Sequence, residues 1–160
     1  MATIVLLSCT KSKTAYPAPA QELYSASPMF QKTLEYGKSL KPDKMFILSA
    51  KHHLVNLNQK LAPYDLTLKD FNKAEKEKWG AEVYKEMKQR GINPEKNKFI
   101  FLAGSEYIKP LLKYIPESNI ENPMKGRRFG ERLKWLNSKL NQIKEMFYTI
   151  KNLINEIIKG

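Results

Sequence analysis

Three short aliphatic and β-branched runs, Ile4-Val5-Leu6-Leu7, Met45-Phe46-Ile47-Leu48 and Phe99-Ile100-Phe101-Leu102, stop abruptly at small residues, Ser8, Ser49 and Ala103. A run that is apolar at every position fits a strand buried on both faces, as in a parallel sheet. Between and after these runs the apolar residues fall at helical spacing. Strand, helix, strand, helix, strand, helix predicts an α/β fold: a small parallel, doubly wound, Rossmann-like sheet with flanking helices and right-handed crossovers.

The helices carry their own signals. Ser27 reads as an N-cap with Pro28 at the first helical position, and Met29, Phe30, Leu34 and Leu40 form a stripe that Lys41-Pro42-Asp43 ends. Thr67-Leu68-Lys69-Asp70 reads as a capping sequence, followed by Phe71, Glu75, Trp79, Val83 and Met87 as far as a stop at Gly91. Gly104-Ser105 opens a short helix that runs toward Pro116. Residues 9–25, with Pro17 and Pro19, and residues 50–66 read as long loops.

The C-terminal segment differs. Leu133, Leu136, Leu140, Ile143, Phe147, Ile150, Ile154 and Ile157 alternate spacings of three and four, the seam of a coiled coil. Residues 1–136 are therefore expected to form the α/β domain and residues 137–160 a helical extension. That extension either covers the domain or makes a homodimer through Leu133 to Ile157.

Composition narrows the setting. With 160 residues and 42% hydrophobic content, the chain suits one core. One cysteine, Cys9, excludes an intramolecular disulfide framework and suits a reducing compartment. With only two histidines besides, no familiar zinc pattern is available, so neither metal nor cofactor is expected. The apolar start is too short to span a bilayer, and the expected location is cytoplasmic with no membrane partner. The formal charge of +12 favours an anionic partner, nucleic acid or nucleotide, although net charge also serves solubility alone.

Parallel strands end on one edge, and ligands sit in the crevice outside those ends. The tips Ser8 to Lys13, Ser49 to His53 and Ala103 to Tyr107 should therefore converge. Ser8, Lys11 and Lys13 offer hydroxyl and cationic contacts for an anion, without the glycines of a phosphate-binding loop. Cys9 is a candidate nucleophile, because neighbouring cations stabilise a thiolate; a small buried hydrophobe is the plainer role. Ser49, Lys51 and His52 form the most concentrated polar group, with His52 fitted for proton transfer or for holding its loop. Asp65 is the nearby carboxylate of the second loop, able to orient His52 or Lys51, or else to cap a turn. Ser105 can receive phosphate or serve as an ordinary cap. Tyr24, Tyr64 and Tyr107 can stack on a base or simply pack. Arg127 and Arg128 suit bidentate phosphate recognition or a solvated helix start.

Taken in order, Leu7-Ser8-Cys9-Thr10-Lys11-Ser12-Lys13, Glu22-Leu23-Tyr24-Ser25, Ser27-Pro28-Met29-Phe30, Ile47-Leu48-Ser49-Ala50-Lys51-His52-His53-Leu54, Ala62-Pro63-Tyr64-Asp65-Leu66-Thr67-Leu68 and Leu102-Ala103-Gly104-Ser105-Glu106-Tyr107 resemble a small uncharacterised domain family distantly similar to the YaaA-like proteins. The resemblance covers about Ile4 to Leu136. It implies a cytosolic, often phage- or mobile-element-associated protein, and a link to DNA, oxidative stress or nucleobase chemistry. It carries the family's polar signature onto Ser8, Lys11, Tyr24, Ser49, Lys51, His52, Tyr64, Asp65, Ser105 and Tyr107. This chain has His53 where that family usually has glycine, so a positive φ there would strain it. The wider superfamily lacks a constant cysteine at position 9, which points away from an obligatory nucleophile.

The expected function is an enzyme acting on a nucleobase, nucleotide or nucleic acid, by hydrolysis or transfer at the base or its N-glycosidic bond. Lys11 and Arg128 would hold phosphate, Tyr24 or Tyr107 would stack, and His52 with Asp65 would move protons. The alternative is a non-catalytic basic DNA- or RNA-binding protein, dimeric through its C-terminal helix.

Overall fold

The computed structural model describes every residue from Met1 to Gly160. In chain order its regular elements are β1 (Thr3–Ser8), β2 (Ala18–Pro19), α1 (Ala20–Leu23), α2 (Pro28–Ser39), β3 (Lys44–Ser49), β4 (His53–Asn56), β5 (Lys60–Leu61), α3 (Lys73–Gln89), β6 (Lys98–Leu102), α4 (Ser105–Ile108), β7 (Ile120–Glu121) and α5 (Phe129–Lys159). The expected α/β fold is present. Its sheet has five strands in the order β4-β3-β1-β6-β7. β1 pairs in parallel with β3 and β6, β6 pairs in parallel with β7, and β4 runs antiparallel to β3 at the edge.

The continuous apolar runs behave as their composition requires. Ile4, Val5, Leu6 and Leu7 in the central strand are all buried, as are Ile47, Leu48, Phe99 and Phe101 in its neighbours. Register aligns their ends, with Ser8 opposite Leu48 and Leu7 opposite Leu102, so the polar segments that follow leave the sheet along one edge.

Capping settles where the helices begin. The Ser27 hydroxyl accepts from the Phe30 amide at 3.2 Å, with Pro28 at the first helical position, as the sequence predicts. The next helix starts later than expected. Asn72 accepts from the Glu75 amide while Glu75 accepts from the Asn72 amide, both at 2.8 Å, and this reciprocal box opens α3 at Lys73. Thr67 instead caps a single 3₁₀ turn at Leu68–Asp70.

The two long loops are more ordered than their sequences suggest. β2 pairs with β5, and the Ala20 and Gln21 amides donate to the Gln59 and Leu57 carbonyls at 2.8 and 2.9 Å, which stitches one loop to the other. The second loop also supplies β4, which His53 enters at φ 60°, in the left-handed region. The glycine-like conformation at this position is therefore real, and a histidine adopts it.

The C-terminal helix is continuous, but its surroundings change along its length. Its beginning docks on α2, where Trp135 meets Tyr36 edge-on at 5.0 Å, Lys32 bonds Asn137, and Leu136 and Leu140 are buried. From Lys144 to the end every residue is exposed. At about 1.5 Å per residue, the 31 residues of α5 reach well past the sheet.

Candidate active site at the strand ends

The loop after β1 is built around a lysine. The Cys9 amide donates to the Leu48 carbonyl at 2.9 Å, prolonging the pairing beyond the strand. The chain then curls so that the Lys13 ammonium donates to the carbonyls of Thr10 at 2.8 Å and Lys11 at 3.3 Å. Its nitrogen also lies 4.2 Å from the centre of the Tyr64 ring, a cation–π contact. Burial lowers the Lys13 pKa; an ionised Cys9 sulfur and the Asp65 carboxylate would each work against that shift.

Beside it, three hydroxyls form a chain. Tyr24 and Tyr64 are 2.6 Å apart at their oxygens, and Tyr64 is 2.7 Å from the Ser49 hydroxyl. Ser49 accepts from the His52 amide at 3.0 Å, and its carbonyl accepts from the Trp79 indole at 2.8 Å, which fixes the tip of β3. The His52 ring meets Tyr64 edge-on at 5.3 Å, and the Lys51 ammonium is 5.8 Å from the Tyr64 ring centre. Burial, then Lys51 and His53, hold the His52 pKa below its usual 6.5, so its imidazole is neutral at neutral pH and free to accept a proton. Burial pushes Tyr24 up to about 12 and Tyr64 and Tyr107 well above the ordinary phenol range.

The Cys9 sulfur lies 3.2 Å from the Tyr107 hydroxyl, and both residues are buried. A negative charge on that sulfur would act on Tyr24, Tyr64 and Tyr107 alike, so Cys9 sits where the Tyr64 cluster meets a neighbouring cavity. This cavity, about 380 Å³, draws Ser8, Cys9 and Lys11 from the first loop and Thr67, Lys69 and Asp70 from the segment before α3. Glu106 and Tyr107 of α4 and Arg132 of α5 complete it. Gly104 is the residue without a side chain in its wall; a Cβ there would come within 3.0 Å of the Glu106 carboxylate and 3.7 Å of the Arg132 guanidinium.

Most of the residues expected from sequence are gathered, in two adjoining groups. Ser8, Cys9, Lys11 and Tyr107 line the cavity; Lys13, Tyr24, Ser49, Lys51, His52 and Tyr64 form the Tyr64 cluster, with Asp65 exposed at its border. No hydrogen bond joins His52 to Asp65. Tyr24 has no exposed surface and Tyr107 very little, so neither ring presents the face that stacking on a base would require. Ser105 lines a different hollow, with Asn122. Arg128 is exposed at the N-cap of α5, and Arg127 lies over Trp135, its carbonyl accepting from the Arg132 Nε at 2.9 Å. Arg132, one turn into the helix, is the arginine that reaches the cavity. Neither Arg132 nor Lys69 is distinguished by the sequence, because a cation there carries no mark of the face it occupies.

His53 turns away from the Tyr64 cluster. It lines a second cavity of about 680 Å³ with Phe71, Trp79 and several carboxylates, and its Nδ1 lies 3.8 Å from Glu86. The structure gathers no three histidine, cysteine or carboxylate side chains as a metal would need. No helix is long and apolar enough to cross a membrane.

The model of a family of unknown function, DUF6884, matches residues 4–138, from the first strand into the first turns of α5. No curated protein and no solved structure matches the chain.

Proposed function

The chain belongs to the DUF6884 family, whose function is unknown, and from its own site we propose that it is a cytosolic enzyme acting on a nucleotide or nucleic acid, by hydrolysis or transfer at the base or its N-glycosidic bond. The observation that carries this reading is one cavity lined by three cations from separate segments, Lys11, Lys69 and Arg132, together with a buried thiol and phenol, Cys9 and Tyr107. Cations that line one cavity suit a phosphate, and Asp70 and Glu106, which line it too, suit sugar hydroxyls or a base amine. The net charge of +12 would draw such a ligand in. His52, neutral at neutral pH, stands in the adjoining Tyr64 cluster and not in the cavity lining, and would take a proton from a ligand that extends there, with Lys51 beside it. A resemblance of its motifs to a small uncharacterised family distantly similar to the YaaA-like proteins would point toward the same chemistry.

The test is incubation with nucleoside monophosphates and with single- and double-stranded DNA, followed by chromatography for released or altered base. Lys11→Ala and Arg132→Ala should weaken binding, while His52→Ala and Lys51→Ala should abolish turnover with folding intact. Full activity of the last two would remove the proton-transfer role.

A second reading has its own support. The hydroxyls of Tyr24, Tyr64 and Ser49 and the Lys13 ammonium are all bonded within the protein, as scaffold groups would be. A non-catalytic nucleic-acid binder would need no more. In that case lysine and arginine substitutions lower affinity uniformly and flatten its salt dependence, and His52 and Asp65 are dispensable.

A further inference from the structure

The last sixteen or so residues of α5 carry an apolar face that nothing in the chain covers. Met146, Phe147, Leu153, Ile154, Ile157 and Ile158 are each at least half exposed, and Ile150 is 44% exposed. Together they present on the order of 800 Å² of apolar surface, the share that one partner contributes to a standard specific interface and more than a monomer ordinarily leaves bare.

The pattern identifies the occupant. Leu140, Phe147 and Ile154 recur at intervals of seven, as do Ile143, Ile150 and Ile157, so the stripe keeps the repeat with which helices of one kind wind around each other. The domain takes up the start of this stripe, Leu136 and Leu140, and leaves the remainder free. At about 100° per residue the free face spans an arc of about 140°, from Leu153 across Ile150 to Ile158, with no polar residue inside it. That is broader than a two-stranded seam requires, and isoleucine at the d positions Ile143, Ile150 and Ile157, three residues after the a positions Leu140, Phe147 and Ile154, also favours more than two strands. The opposite face argues against an anionic bilayer as occupant. From Asn141 onward it holds Lys144, Lys151 and Lys159 against Glu145 and Glu156, whereas helices that lie on membranes carry a strongly cationic polar face.

We propose that the segment Ile143 to Ile158 packs against the same segment of further copies of this chain, in a helical bundle that holds several strand-end sites together. Several cationic sites joined in this way would grip a polyanion far more tightly than one. The bundle does not depend on what those sites do.

Sedimentation equilibrium of the full chain over a range of micromolar concentrations tests it. The expected mass is a multiple of 18.6 kDa. Ile150→Asn combined with Ile154→Asn should return the protein to a monomer with the melting of its α/β domain unchanged, because both side chains lie outside the core. Tyr148→Asn, on the polar face, should leave the assembly intact. A monomeric wild type, an assembly that survives the double substitution, or a monomer that co-sediments with phosphatidylserine vesicles would each overturn the proposal.

Discussion

The hydroxyls of Tyr24 and Tyr64 meet at 2.6 Å across a sequence separation of forty residues, and they do so where two long loops are stitched together. Tyr64 is the middle of the chain, since it also reaches Ser49 at 2.7 Å. Its removal therefore strips a partner from two groups at once, while removal of Tyr24 leaves the Tyr64–Ser49 bond standing. Tyr64→Phe should cost about 1–3 kcal/mol, because a buried hydroxyl is left unsatisfied, and Tyr24→Phe about 0.5–1.5 kcal/mol. Urea denaturation of the two variants reads the order, and equal midpoints would show that the hydroxyls do not act as a chain.

His52 ties the same cluster to pH. Its pKa lies below 6.5 in the folded protein because burial disfavours the charged ring, and Lys51 and His53 add to the effect. Below 6.5 the unfolded chain thus binds more protons at this position than the folded one. The stability His52 contributes is complete above its unfolded pKa and is lost as the pH falls through its folded value. Melting temperatures measured from neutral pH downward should fall less steeply in His52→Gln than in the wild type, with the two curves parallel above 6.5. Identical acid limbs would contradict the shift.

Two helical glycines look alike in sequence and differ in what they face. A Cβ on Gly80 of α3 would lie 2.6 Å from the Pro110 carbonyl oxygen, which belongs to backbone and cannot move aside. On Gly37 of α2 it would meet the Met45 terminal methyl at 2.5 Å, the far end of a flexible side chain, with Val5 Cγ1 at 3.2 Å and Leu102 at 3.4 Å. Gly80→Ala should destabilise by about 1–3 kcal/mol through overpacking. Gly37→Ala should come out close to neutral, its gain in helix propensity of about 1 kcal/mol offsetting the displacement of Met45. Thermal unfolding of both distinguishes them, and a stable Gly80→Ala would mean that α3 is free to back away from Pro110.

The sequence reveals those parts of this fold that rest on local chemistry. Ile4 to Leu7 is apolar at every position, so it announces a doubly buried strand, and Ser27-Pro28 announces a helix start wherever it is placed. Thr67 and Asn72 are both good caps five residues apart, and only the reciprocal bond with Glu75 decides between them. β4 escapes notice because it is four residues long and begins at a histidine with positive φ. The site divides in the same way. Parallel strand ends bring Cys9 near Tyr107 by topology alone, whereas the choice of Arg132 over Arg128 depends on the angle at which α5 enters, which no run of cations discloses. The heptad stripe is plain as far as Ile157, yet where its docking on α2 ends is a matter of how far the domain extends.

His53 offers the sharpest test of the backbone. Its φ is 60°. In that region a side chain crowds the following carbonyl, at about 1–2 kcal/mol for an ordinary residue. The next amide, Leu54, donates to the Glu86 carboxylate at 3.2 Å and anchors the turn independently of the imidazole. His53→Gly should therefore keep the turn and relieve the strain. Part of that gain is offset by about 0.5–1 kcal/mol of added unfolded-chain entropy, so the variant should be as stable as the wild type or slightly more so. His53→Val, branched at Cβ, should lose about 1–2 kcal/mol or more in the same conformation. Chemical denaturation should rank glycine at or above histidine and valine clearly below both. A valine variant as stable as the wild type would mean that β4 is entered with an ordinary negative φ.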